Sequence, residues 1–318
     1  MNISYSPAYT IVPTYECFNR CSYCNFRVDP GKDKWLTLDR AREIFSQLQH
    51  QNVCEILILS GEVHPQSSQR STWLDRLYDL GKLALKMGFL PHTNAGILSF
   101  EEMQNLAMVN VSMGLMLESL DRGLLSRVHR HAPSKLPEVR LEQLHWAGEL
   151  KIPFTTGLLL GIGENSTSWA LSLHAIADIH NKWGHIQEVI LQPYSPGSQE
   201  TFAAPGFDLT QLPAVVRLAR EILPPEIRIQ IPPNLITDFS LLLACLDAGA
   251  TDLGGISPKD EVNPDYPHFH RPHLQSALAH YGWHLTARLP IYPHYDRWVN
   301  PRLQSLVSHW RDRLSGES

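Results

Sequence analysis

Three cysteines, Cys17, Cys21 and Cys24, share one short run, ECFNRCSYCNF, with the spacing C-x3-C-x2-C. Three thiolates on one loop can hold three irons of a [4Fe–4S] cube and leave the fourth iron without a protein ligand. A cluster that only carries electrons normally has four cysteine ligands, so an open iron implies chemistry. The common zinc patterns use paired C-x2-C or Cys/His arms and need a fourth ligand, which this triplet does not offer. The other two cysteines, Cys54 and Cys245, lie in the apolar runs NVCEILIL and LLLACLDAG. Both read as buried, inert thiols with no disulfide between them.

The chain has 318 residues, 43% of them hydrophobic and 19% charged, which is ordinary globular composition with material for one large core. A net charge of -5 gives no reason to expect nucleic-acid or membrane binding by electrostatics. The opening MNISYSPAYT has no basic segment followed by an apolar stretch, and no apolar run reaches the length of a membrane span. A cytoplasmic, oxygen-sensitive enzyme is expected.

Short apolar runs alternate with longer amphipathic ones, and these must position the cysteine loop. Strands are expected at 9–13, 55–60, 89–93, 111–117, 154–161, 188–193 and 227–232, with a weaker eighth at 251–256. Helices are expected at 37–51, with Thr37 as N-cap, and at 71–87, 99–107, 137–150, 166–183, 209–223 and 234–248. Eight strands alternating with helices make a (β/α)8 TIM-type barrel, an α/β fold whose site is built at the carboxyl ends of the strands. Residues 1–264 are assigned to the barrel. Residues 265–318, rich in Pro, His and aromatics and ending in a helix near 303–314, are read as a capping segment packed on it.

Polar residues fall at those strand ends: the cysteine loop after the first, Ser60-Gly61-Glu62 after the second, His92-Thr93-Asn94 at the third and Glu118 at the fourth. Gly161-Ile162-Gly163 closes the fifth and Gln192-Pro193-Tyr194 the sixth. On the seventh and eighth strand-end loops, Asn234, Asp252, Ser257, Asp260 and Asn263 offer neutral and acidic hydrogen-bond partners, and Gly254-Gly255 allows close backbone approach. Each also has an ordinary reading as turn chemistry or capping. The histidines His268, His270 and His273 lack a supporting zinc pattern and read as surface or capping residues.

The cysteine triplet, with Tyr23 before its last member, resembles the cluster motif of the radical S-adenosylmethionine (SAM) enzymes. ECFNRCSYCNFR, PHTNAG, VSMGLMLES, EVRLEQL…KIPFTTGLLLGIGE and QPYSPG further resemble the first, smaller component of deazaflavin (FO) synthase. IPPNL (231–235) and AGATDLGGISPKDEVNP (248–264) follow in the same order. Three departures stand out. Val63 follows Glu62 where the superfamily pattern has proline, Ala95 replaces an expected proline, and Tyr266-Pro267 replaces Pro-Trp.

The resemblance implies a [4Fe–4S] cluster on Cys17, Cys21 and Cys24, with SAM on its open iron. Tyr23, Ser60, Gly61, Glu62, Thr93, Asn94 and Gln192 would lie beside SAM, and Glu118 would accept its ribose hydroxyls. Gly161, Ile162 and Gly163 would edge the adenine, and Arg140 would clamp the carboxylate. SAM would be cleaved reductively to a 5′-deoxyadenosyl radical, which implies a low-potential electron donor. The small-molecule substrate would be a tyrosine-derived adduct of ribitylaminouracil made by a second radical SAM component; ring closure and loss of ammonia would give FO. Asn234, Gly255, Ser257, Asp260 and Asn263 would bind it. Tyr194, His92 or Asp252 would take the proton. Two alternatives remain open: another radical SAM enzyme of the same barrel type, and a non-catalytic iron–sulfur or zinc module.

Overall fold

A computed structural model describes residues 1–257, 259–266 and 271–316. The apolar runs become eight parallel strands: β1 (Asn2–Ile11), β2 (Glu55–Leu59), β3 (Leu90–Asn94), β4 (Ser112–Gly114), β5 (Phe154–Leu160), β6 (Ile186–Pro193), β7 (Arg228–Gln230) and β8 (Asp252–Ile256). They pair in chain order, β8 pairs with β1, and β1 returns to β2, so the sheet closes into a barrel. Between them run α1 (Leu38–Leu48), α2 (Arg70–Lys86), α3 (Phe100–Ala107), α4 (Pro137–Glu149), α5 (Ser166–Trp183), α6 (Leu212–Ile222) and α7 (Phe239–Asp247). Local chemistry sets their ends. Thr37 caps α1 by accepting from the Arg40 N–H, and Ser99 and Glu102 form a reciprocal capping box on α3. Gly184, at φ 70°, ends α5 in the left-handed conformation. Asn234 sits on a 3-10 turn, Pro233–Leu235, ahead of α7 rather than in that helix.

β1 begins well before the expected start at residue 9. Its first half reads as polar, NISYSPA, yet it alternates: Ile3 and Tyr5 enter the core, while Ser4 and Ser6 hydrogen-bond Asp252 and Glu55. Those serines are strand residues because the barrel interior at that depth is itself polar.

The C-terminal segment does more than cover the barrel. After α8 (Arg271–His280), β9 (His284–Ala287) adds a ninth parallel strand on the first half of β1, pairing Asn2–Tyr5. The chain then crosses the barrel at the amino-terminal ends of the strands. There Ser112 Oγ and Gln187 Nε2 donate to the Pro290 carbonyl, at 2.6 and 3.0 Å. Leu289, Ile291, Tyr295, Val307 and Trp310, the last two on α9 (Pro301–Ser315), form a second core with Cys54, Leu90 and Val111. Cys54 and Cys245 are free, buried thiols, as their apolar surroundings predict. His268 and His270 lie outside the described residues.

Arg288 points from this floor into the barrel. Its Nε and Nη2 donate to Asp252 at 2.6 and 2.8 Å, and Nη2 also donates to Glu188 at 2.7 Å. The Tyr292 hydroxyl bonds the same two carboxylates at 3.1 and 3.2 Å. Removing one partner of a buried ion pair leaves a desolvated charge and costs about 3–5 kcal/mol. Arg288→Met is therefore expected to destabilise the cluster-free protein by about that much in anaerobic urea unfolding. A loss below about 1 kcal/mol, the range of an exposed ion pair, would show that the floor does not depend on this cation.

Candidate active site

The carboxyl ends of the strands and the cysteine loop enclose a cavity of about 370 Å³ that reaches from Cys17, Cys21 and Cys24 to Arg288 and Pro290. That volume lies in the range of small-molecule sites. The loop is tied to its neighbours by backbone hydrogen bonds. Phe18 N–H donates to the Glu62 carbonyl at 3.0 Å, Gly61 N–H to Thr14 at 2.8 Å and Arg20 N–H to His131 at 2.7 Å. Gly61 is required there, since a Cβ would stand 2.1 Å from the Glu16 carbonyl oxygen. Burial pushes the thiols of Cys17 and Cys21 up, to about 11 and about 12. A bound metal must supply the charge that makes them thiolates. Among the described residues no three His, Cys, Asp or Glu side chains are gathered to hold a single ion. A cube, which takes one thiolate per iron, does not need such a gathering.

Two buried ion pairs stand beside the loop. Glu62 Oε1 accepts from Arg140 Nη2 at 3.0 Å, while Glu62 Oε2 is buried without a partner among the described residues. Arg140 is 2% exposed and also donates to the Ser134 and Met116 carbonyls, so it is no surface arginine of α4. Glu118 accepts from Lys135. Burial alone would raise the Glu118 pKa, but Lys135 and Arg140 outweigh it and hold the carboxyl below its usual range. Glu118 also has φ 67°, left-handed backbone that costs a non-glycine residue on the order of 1 kcal/mol and is concentrated at functional sites. Lys135, which lines the cavity, carried no motif that sequence reasoning could have used.

Ser60, Asn94, Gln192 and Tyr23 line the cavity, and Tyr23 Oη shares a 3.0 Å hydrogen bond with His129 Nε2. Thr93 does not. On a strand its side chain points opposite to His92 and Asn94, and its hydroxyl donates to Asn110 at 2.8 Å. Gly161, Ile162 and Gly163 are likewise absent from the lining among the described residues. The N–H groups of Gly161 and Ile162 close on the Glu164 carboxylate at 2.6 and 2.8 Å, and the Ile162 side chain is buried with Tyr194.

The residues of the seventh and eighth strand-end loops come together on the cavity wall. Asn234, Gly255, Ser257, Asp260 and Asn263 all line the cavity. Asn234 Nδ2 donates to Asp260 at 2.8 Å, and among the described residues its Oδ1 is buried without a partner, which offers an acceptor to a ligand.

The three residues expected to take a proton separate. Asp252 is absent from the lining and is committed to Arg288, Ser4, Tyr292 and the Gly254 N–H. Tyr194 lines the cavity, but its hydroxyl donates to Glu200 and to the Phe202 carbonyl, and burial with Glu200 raises its pKa. His92 lines the cavity with Nδ1 2.7 Å from Ser112 Oγ; burial, then Arg288, pushes it down to about 3, so it is neutral. Sequence reasoning missed Glu55 and Glu188, both on the cavity wall. The available signal was a carboxylate opening an otherwise apolar strand run. Burial pushes Glu188 up to about 8 despite Arg288, and Asp252 adds to the rise. One arginine therefore faces two carboxylates, and Glu188 is the one that keeps the proton.

Comparison with known proteins agrees with this geometry. Residues 11–176 match the family model described as Radical SAM superfamily. Solved structures agree in fold. The FeFe-hydrogenase maturase HydG from Carboxydothermus hydrogenoformans superposes with TM-score 0.71 at 18% identity, covering 98% of this chain and 77% of that one. Methylornithine synthase (PylB) gives 0.68 at 16%, covering 90% and 84%. The chain is thus a radical SAM barrel protein, and membership implies a [4Fe–4S] cluster and SAM as cofactors. The 7,8-didemethyl-8-hydroxy-5-deazariboflavin synthase of Trichormus variabilis is 64% identical over 313 residues, 98% of this chain and 92% of that protein. The synthases of Thermosynechococcus vestitus and Gloeobacter violaceus are 62% and 55% identical, over 96% and 98% of this chain and 97% of each of those proteins. Within the superfamily the chain belongs to this synthase family.

Two outcomes are expected. Gly61→Ala should displace the Glu16 backbone and lower the iron held per chain after reconstitution by at least about half, measured by iron analysis, because a 2.1 Å approach to backbone cannot be relaxed cheaply. Unchanged iron would mean that the loop tolerates the shift. The raised Glu188 carboxyl binds a proton on folding, so its stabilising contribution is complete below the usual carboxylate range and is lost as pH rises through about 8. Wild type should therefore lose more urea resistance between pH 5 and pH 9 than Glu188→Gln, which cannot ionise; parallel profiles would exclude a protonated Glu188.

Proposed function

We propose that this chain is the first, smaller component of a deazaflavin synthase. In this reading it converts a tyrosine-derived adduct of ribitylaminouracil to 7,8-didemethyl-8-hydroxy-5-deazariboflavin, and a second radical SAM component supplies the adduct. The observation that carries the reading is the placement of Asn234, Gly255, Ser257, Asp260 and Asn263 on the same cavity as the three cysteines. When bound, the cluster and SAM supply a 5′-deoxyadenosyl radical by reductive cleavage.

The protein's own residues hold, orient and shield. Cys17, Cys21 and Cys24 hold the irons. Glu62 Oε2, without a partner among the described residues, suits an ammonium, Arg140 and Lys135 suit a carboxylate, and Glu118 suits vicinal hydroxyls. A uracil and a ribityl chain need neutral hydrogen-bond partners rather than one strong charge, and Asn234, Ser257 and Asn263 provide them. Ring closure and loss of ammonia require proton movement. Protonated Glu188 and neutral His92, deep in the cavity, hold and orient a proton there, while Asp252 positions Arg288. Residues 1–264 carry most of the chemistry, and the segment from β9 through α9 seals the floor and adds Arg288 and Pro290 to the cavity.

The test is an anaerobic assay of reconstituted protein with SAM, dithionite, tyrosine and ribitylaminouracil, with and without the second component. It follows 5′-deoxyadenosine by chromatography and deazaflavin by fluorescence. Deazaflavin is expected only with both proteins, and is expected to be lost in the Cys17→Ala/Cys21→Ala/Cys24→Ala variant. Deoxyadenosine without deazaflavin would move the substrate elsewhere. Neither product from cluster-loaded protein would defeat the assignment.

A further inference from the structure

The cysteine loop has a second face. Cys21, Cys24 and Arg27 line the main cavity and also a separate depression of about 320 Å³. The loop is thus a partition, with the ligand cavity on one side and this depression on the other. The other residues around the depression include Arg20, Arg127, Arg130 and His131, and among the described residues no carboxylate lines it. Asp29 flanks it, pairing with Arg20 at 3.1 Å and with Arg27, and Asp121 lies 4.0 Å from Arg127. Arg130 is exposed and forms no ion pair among the described residues. Four guanidiniums therefore face two flanking carboxylates, in a chain whose net charge is -5. A positive patch on an acidic protein attracts a partner of opposite sign and orients it during encounter. The opposite wall is anchored, since the N–H groups of Thr201 and Phe202 both donate to the Ser22 carbonyl at 2.8 Å.

We propose that this basic depression docks a small acidic electron-carrier protein, and that electrons enter the cluster through the Cys21–Cys24 edge. The proposal rests on the reading of the triplet as a cluster site that consumes electrons. In each encounter one electron leaves the carrier's reduced low-potential centre and reduces the cluster by one; no bond is made and no proton is moved. Entry from this side keeps the carrier clear of the ligand cavity.

The probe is a reduced, acidic [2Fe–2S] ferredoxin. Its binding to reconstituted protein is measured by calorimetry, and cluster reduction by stopped-flow absorbance, each at low and high salt. Arg130→Glu/Arg20→Glu is expected to weaken ferredoxin binding and slow reduction by about tenfold or more at low salt, and to flatten the salt dependence. Arg130→Lys/Arg20→Lys, which keeps the charge, should behave as wild type. Reduction by dithionite, a small reductant with no docking requirement, should be equal in all three. Ferredoxin binding that ignores the charge reversal would overturn the proposal, as would a charge-reversed variant slowed equally with dithionite. If wild type with dithionite yields no 5′-deoxyadenosine, the functional reading fails instead, and the calorimetry still decides the docking face.

Discussion

Carboxylates inside a barrel require a cation, and here the cation comes from outside the barrel's own strands. Glu188 on β6 and Asp252 on β8 are buried and meet at the single guanidinium of Arg288. Around it gather the hydroxyls of Ser4 and Tyr292, while Glu55 takes Ser6. Partly satisfied polar networks are costly in a low dielectric, and fully satisfied ones specify a unique packing. This network fixes where β1 sits between β8 and β9, and it sets the depth of the cavity. Burial raises the Glu188 carboxyl, while Arg288 and Ser4 outweigh burial at Asp252 and hold it down, so the floor's stability and the chemistry above it share one network.

At the other end of the cavity the charges are arranged in pairs rather than around one centre. Glu62 holds Arg140 and Glu118 holds Lys135, all four on the cavity lining. Such pairs avoid isolated buried charge while no ligand is bound. A ligand that carries both an ammonium and a carboxylate can engage one member of each pair without leaving the other unbalanced. The left-handed backbone at Glu118 is held by its place beside β5, where its N–H donates to Gly157 and its carbonyl accepts from Leu159. The strain is therefore borne by the barrel wall.

The barrel, the helix order and the cysteine loop were readable from the sequence because each rests on a local pattern: apolar strand runs, helical spacing, capping residues, and three thiols on one loop. The resemblance singles out the late strand-end loops, and their residues line the cavity. Other features depend on partners far away in the chain. The first half of β1 looked unlike a strand because Ser4 and Ser6 have distant acids as partners. Lys135 gained its place through Glu118, and β9 through β1. Thr93 was assigned to the site from its position at a strand end, without following the alternation of side chains; one residue either side of it, His92 and Asn94, face the cavity. Gly161 to Gly163 read as a ligand edge, but Glu164 folds back on the N–H groups of Gly161 and Ile162, a contact that strand-end reasoning does not supply.

β9 lies against the first strand of the chain, and it leaves the ribosome after every other barrel strand. Until it arrives, Asn2–Tyr5 of β1 have no partner on the side away from β8, and the interior acids lack Arg288. Pairings of such long sequence separation form late and slowly. The cysteine loop, by contrast, directly follows β1 and is made before β2 and every later strand. The nascent protein therefore passes through a stage in which its thiols are already present while the barrel beneath them has no bottom. Cluster insertion during that stage would place iron on a loop whose walls are still unformed, so timing of metal delivery, and not only its supply, becomes a condition for making this enzyme.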